Sequence, residues 1–188
     1  MKSAPVGSLS PEYVLLGLLA RGPAHGYELH RKLSCDLNQV WHLSQSQIYN
    51  ILNRLESQDY IHGSILEQEK LPAKRSFEIT DSGVAHFEDW LFTPTRSSVR
   101  AIRVEFTTRL YFALALDLKL AGELVSAQIA ETRSGLQKLI LLQSNIPEDQ
   151  LFNRLGLDLR IRQLKSILEW LDSCLGLVST DVVGTLQT

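Results

Sequence analysis

The stretch SQSQIYNILNRLESQ, Ser44 to Gln58, constrains the fold more than any other part of the chain. Ser44 followed three residues later by Gln47 is a capping-box pattern, in which each side chain satisfies the other residue's free backbone N–H. Ile48, Ile51, Leu52 and Leu55 then recur at helical spacing and define one buried face. The opposite face carries Ser46, Asn50, Asn53 and Ser57, with Tyr49 on its shoulder and Arg54 to the other side. Solvated helix faces of this length usually carry Lys and Glu. Amides, hydroxyls and an aromatic ring stand here instead.

The flanking sequence says what this helix belongs to. PEYVLLGLLA, Pro11 to Ala20, is apolar, with Ser10 available as N-cap and Pro11 as the first helical residue. Gly22-Pro23 ends it, and a second helix fits Gly26 to Cys35. After the third helix, Tyr60–Leu66 and Arg75–Thr80 are β-compatible, with the polar, proline-containing run Glu67–Lys74 as the tip of a hairpin. A further helix opens at Thr80-Asp81-Ser82-Gly83 and runs through Phe92. Three helices, a two-stranded wing and a closing helix make a winged helix-turn-helix.

TPTRSS, Thr93 to Ser98, reads as a linker. Beyond it the pattern is helical: Arg100–Leu116, Lys119–Ser144 and Glu148–Leu175, with Asn145-Ile146-Pro147 between the last two. Long leucine-rich helices with short connections predict a helical hairpin or coiled-coil-like pairing. The tail from Gly176 is expected to be loosely held. The fold class is therefore mainly α with a small two-stranded wing. Its expected domains are a winged helix-turn-helix domain at 9–92, an α-helical domain at 99–176 and a flexible tail at 177–188.

An α-helix fits the major groove, where Asn and Gln present a paired donor and acceptor to adenine, and Arg grips guanine or phosphate. Ser and Tyr hydroxyls suit phosphate oxygens, and the helix N-terminus adds free N–H groups. The candidate DNA-contacting residues on this helix are Ser44, Gln45, Ser46, Tyr49, Asn50, Asn53 and Arg54. Lys70, Lys74 and Arg75 sit in or beside the wing, either at phosphates or simply in water, where Glu67 and Glu69 dilute their charge. Composition gives no help: 19 basic against 21 acidic residues argue against binding through bulk positive charge, and what matters is where the charge lies.

Other classes find little support. Cys35 and Cys174 are far apart, so neither a disulfide framework nor a zinc site is indicated. The sequence has no P-loop, GxSxG, HExxH or dinucleotide fingerprint, and no catalytic residue, cofactor or metal is expected. His25, beside Gly26 in a helix-entry turn, reads as structural or phosphate-facing. Trp41, Trp90 and Trp170 read as core or interface residues, with a planar small-molecule ligand as the rival reading. Neither a signal sequence nor a run of about 20 apolar residues is seen, so no membrane partner and a cytoplasmic location are expected.

Three ordered blocks carry a family resemblance. LLGLLARGPAHGYEL (Leu15–Leu29), WHLSQSQIYNILNRLESQDYI (Trp41–Ile61) and KRSFEITDSG (Lys74–Gly83) resemble the PadR family of bacterial transcriptional regulators. RVEFTTRLYFALAL (Arg103–Leu116) and LRIRQLKSILEWLDSCL (Leu159–Leu175) are similar to the long helical C-terminal domain of its larger members. The resemblance implies a homodimer made by those helices, on a palindromic operator of double-stranded DNA. It implies that Tyr27 touches the DNA backbone and that Gln45, Ser46, Tyr49, Asn50 and Asn53 face the groove. It also implies a repressor, released by a small-molecule effector of unidentified chemistry. Asp59 stands where the family usually has glycine, and Phe77 where it usually has tyrosine. The alternative reading is a winged-helix protein–protein adaptor without DNA binding.

Overall fold

The computed structural model describes residues 11–68 and 71–179, with the backbone alone for 66–68 and 71–74. The chain divides into two compact units, one ending at Thr93 and the other starting at Pro94. In the first, α1 (Glu12–Leu19) is followed by β1 (Ala24–His25), α2 (Gly26–Asp36), α3 (Gln45–Ser57), β2 (Ile61–Gln68), β3 (Leu71–Ile79) and α4 (Asp81–Phe92). Every residue of α1 from Val14 to Leu19 is buried, which its unbroken apolar run requires. Gly22, with φ of 135°, then turns the chain through a region that side chains disfavour.

The small sheet has three strands, in the order β1-β3-β2, all antiparallel. The sequence predicts only the outer hairpin. The third strand is two residues long, and it exists because Ala24 and His25 find Phe77 and Ser76 some 50 residues downstream. The strands of the wing also run further than predicted: they take in Glu67 and Gln68 on one side and Leu71 to Lys74 on the other. Backbone pairing continues from Ile61↔Ile79 past Leu66↔Lys74, with an irregularity between Leu66 and Gln68.

Asp59 joins α3 to β2 with φ of 58°, the left-handed conformation that glycine adopts most freely. Its carbonyl accepts bonds from Thr80 Oγ1 and Ser82 Oγ, both at 2.7 Å, so the turn is tied to the start of α4. Thr80 in turn caps α4 by accepting from the Gly83 N–H at 3.1 Å. Leu15, Leu16, Leu29, Leu33, Ile48, Leu52, Leu55 and Phe77 form the core, each 1% exposed or less. Stacked rings close its edge: Tyr13 on Trp90 at 4.8 Å and Tyr60 on His86 at 4.3 Å between centroids.

The second unit is helical. It comprises α5 (Val99–Ala101), a π-helical turn (Ile102–Phe106), α6 (Thr107–Leu116), α7 (Leu118–Ser144) and α8 (Leu151–Ser179). The single helix expected over Arg100–Leu116 is interrupted by the wide turn. There Thr107 Oγ1 donates to the Arg103 carbonyl at 2.7 Å and Thr108 Oγ1 to that of Val104 at 2.6 Å. Such side-chain bonds compete for the carbonyls of the wide turn. α8 starts at Leu151, later than Glu148, because the Gln150 N–H closes a turn on the Pro147 carbonyl at 3.1 Å. It continues through Ser179, so the first residues assigned to a loose tail are helical; 180–188 lie outside the described residues.

At 27 and 29 residues, α7 and α8 form the expected hairpin. Each is about 40 Å long at 1.5 Å per residue. Ile102, Phe106, Leu110, Ala121, Val125, Ile129, Leu164 and Leu171 fill the seam. The segment read as a linker is fastened to this unit rather than free. Thr95 is 2% exposed, its hydroxyl bonded by Arg109 and its carbonyl by Gln128 Nε2 at 3.2 Å. Arg109 is itself buried and pairs with Glu105 at 2.7 Å.

Candidate nucleic-acid interface

The capping box of α3 forms as the spacing predicts. The Gln47 N–H donates to Ser44 Oγ at 3.3 Å, and the Ser44 N–H donates to Gln47 Oε1 at 2.8 Å. Ile48, Ile51, Leu52 and Leu55 anchor one face in the core, at 6% exposure or less. With that face fixed, Gln45, Ser46, Tyr49, Asn50, Asn53 and Ser57 all stand exposed. A helix held by four apolar side chains presents its polar side as a rigid surface, because its rotation about its own axis would expose the core.

α2 brings Tyr27 beside this surface. His25 precedes it with extended backbone, its N–H donating to Glu28 Oε2 at 2.9 Å. That backbone hydrogen bond, more than any nearby charge, holds the Glu28 carboxyl below its ordinary value. His25 Nδ1 donates to the Arg75 carbonyl at 2.9 Å, so the histidine joins α2 to the wing and has a structural role. Gly26 is needed for a close approach: a Cβ there would stand 2.7 Å from Tyr49 Cζ. The tyrosine of α3 therefore lies over the start of α2, one residue from Tyr27, which is 58% exposed.

The cations sit differently from the amides. Arg54 donates through Nε to Glu12 of α1. Arg75 donates through Nη2 to both carboxylate oxygens of Glu56, at 2.6 and 2.7 Å, and its guanidinium lies 5.2 Å from the centre of the Phe77 ring. Glu56 Oε1 also accepts the Gly63 N–H at 3.0 Å, and a Cβ on Gly63 would stand 2.7 Å from that oxygen. Glu12 and Glu56 escape sequence reading because their partners lie 42 and 19 residues away. Lys74 pairs through its backbone with Leu66, and Lys70 lies outside the described residues. Among the described residues no group of His, Cys, Asp and Glu could hold a metal ion, and no helix is long and apolar enough to cross a membrane.

Comparison with known proteins agrees with this architecture. The transcriptional regulator PadR-like family matches residues 15–89, and the family described as virulence activator alpha C-term matches residues 102–179. The negative transcriptional regulator PadR of Bacillus subtilis (strain 168) is 27% identical over 179 residues, which cover 90% of this chain and 98% of the relative. A crystal structure of Bacillus subtilis PadR with operator DNA is 27% identical, covers 89% of this chain and 98% of its own, and superposes with a TM-score of 0.43. Another, with p-coumaric acid, is 24% identical and covers 96% and 100%, with a TM-score of 0.40. These families and relatives are transcriptional regulators rather than enzymes. With one match over the winged head and the other over the helices behind it, the chain carries a transcriptional regulator PadR-like domain followed by the helical C-terminal region that the second family describes.

Proposed function

We propose that this regulator is a homodimeric repressor that sets α3 into the major groove of a palindromic operator. In this reading residues 9–92 are the DNA-binding head and 99–176 pair the two copies. Tyr27, Ser44, Gln45, Ser46, Tyr49, Asn50, Asn53 and Arg54 contact the groove and its phosphates, with Lys70, Lys74 and Arg75 on the wing side. The observation that carries the proposal is the outward face of α3. It is capped, anchored from behind and lined with Asn50, Asn53, Gln45 and Tyr49, which supply base-edge donors and acceptors where a solvated helix would carry Lys and Glu. Repression follows the reading of the Bacillus subtilis relative, a negative regulator.

Pairing of two copies is supported by the tip of the α7–α8 hairpin. There Leu141, Leu151, Phe152, Leu155 and Leu159 are all more than half exposed, and Phe152 is 86% exposed. An apolar cluster of this kind marks an association surface. A small molecule that releases the operator acts by binding one head spacing better than the other. p-Coumaric acid, held by Bacillus subtilis PadR, is the first compound to try.

The test is an electrophoretic shift against the promoter of the protein's own gene across a salt series. Retardation that weakens steeply as salt rises is expected, since phosphate contacts release counterions. No retardation at low salt would overturn the proposal and favour a protein–protein adaptor.

A further inference from the structure

The winged head is acidic: residues 11–93 hold 7 Lys or Arg against 11 Asp or Glu. Two of its few cations, both among the proposed DNA contacts, are engaged by carboxylates of the head itself. Arg54 is held by Glu12, and Arg75 is gripped by both oxygens of Glu56. The carboxylates are the fixed members of these pairs. Their side chains are 17% and 26% exposed, whereas the arginines are 50% and 43% exposed. Glu56 is further held by the Gly63 N–H. A phosphate can therefore reach either guanidinium from the solvent side, but it meets a charge already matched.

We propose that Glu12 and Glu56 are internal competitors for phosphate, so that Arg54 and Arg75 contact DNA only by exchanging a carboxylate for a phosphate. The inference rests on the reading of α3 and the wing as a DNA-binding surface. On random DNA no base contacts hold the backbone in register, and the exchange gains little over the pair it breaks. On the operator the base contacts fix the phosphates in place, and both arginines change partner. Random DNA then releases fewer counterions than the operator does. The salt dependence of the two complexes differs accordingly, by about 0.9 in log–log slope for each arginine recruited.

The experiment measures affinity for a random-sequence duplex and for the selected operator, from low to moderate salt, in the full-length chain and in Glu12→Gln and Glu56→Gln. Glu88→Gln, on the exposed side of α4, changes net charge by the same amount and serves as the control. Each of the first two variants is expected to bind random DNA several-fold more tightly and to steepen its salt slope by about 0.9. The control is expected to move neither. Unchanged slopes on random DNA in both variants, or an equal shift in Glu88→Gln, overturn the inference. Melting temperatures check folding; if losing the Glu56 bond to Gly63 unfolds the wing, Glu12→Gln decides alone. A wild-type chain that binds no DNA at any salt sinks the parent reading and this inference together. Operator binding with unmoved variant slopes sinks the inference alone.

Discussion

α3 and the start of α8 distribute their apolar residues in opposite ways. α3 puts Ile48, Ile51, Leu52 and Leu55 inside and leaves amides and hydroxyls in water. α8 buries Leu157, Ile161, Leu164 and Leu171 but leaves Leu151, Phe152, Leu155 and Leu159 exposed. α3 thus buries its aliphatic residues within one copy, and apart from Tyr49 what its outer face shows is polar chemistry suited to a polar partner. The start of α8 does not bury all of its own, and what it shows outward suits another apolar surface. Recognition of DNA and pairing of copies are proposed for these two faces on that difference.

The comparison breaks first at Leu52. It is fully buried, so Leu52→Ala is expected to destabilise the head by about 2–5 kcal/mol, through lost transfer energy and the cavity left behind. Urea unfolding of the full chain, followed by fluorescence of the buried Trp90, measures it; a loss below 1 kcal/mol would mean that α3 is turned differently. Asn50→Ala and Asn53→Ala, on the opposite face, are expected to leave stability unchanged and to weaken operator binding by about 1–3 kcal/mol each. Gel-shift titration against a scrambled duplex separates that loss from a general one.

At the hairpin tip, Phe152→Ser is expected to weaken self-association by about tenfold or more, equivalent to roughly 1.4 kcal/mol, with little change in folding. Sedimentation velocity over a concentration range reads this directly, and an unchanged dimer would move the interface elsewhere. The smallest effect concerns Glu28. Its carboxyl is held below the ordinary value of 4.5, chiefly by the His25 N–H, so the ionised form stabilises the fold. That contribution is complete above the ordinary value and is lost as pH falls through the lowered one. It is modest because the group is near solvent. Glu28→Gln is expected to flatten this acid limb of the melting-temperature profile, and a profile parallel to wild type would remove Glu28 from the account.

Most of the head could be read from sequence because its signals are local. The capping box and the four apolar positions of α3 lie within 12 residues of each other, and one helix satisfies them all. β1 could not be read: Ala24-His25 carries no strand pattern, and its pairing is decided by Phe77 and Ser76. The partners of Arg54 and Arg75 were hidden for the same reason, since ion pairs 42 and 19 residues apart leave no periodic trace. In the helical unit, leucine spacing gave the helices but not the π-helical turn. That turn coincides with Thr107 and Thr108 bonding to the backbone, and TPTRSS reads as a linker because the contacts of Thr95 with Arg109 and Gln128 lie 14 and 33 residues away.

The central claim, that the polar face of α3 reads DNA in a paired arrangement, is tested most directly by selecting bound duplexes from a random pool with the full-length chain. The account predicts enrichment of a palindrome whose half-sites are centred about one helical turn apart, roughly 10–10.5 base pairs. Enrichment of a single unrepeated site, or of no sequence at all, would contradict it.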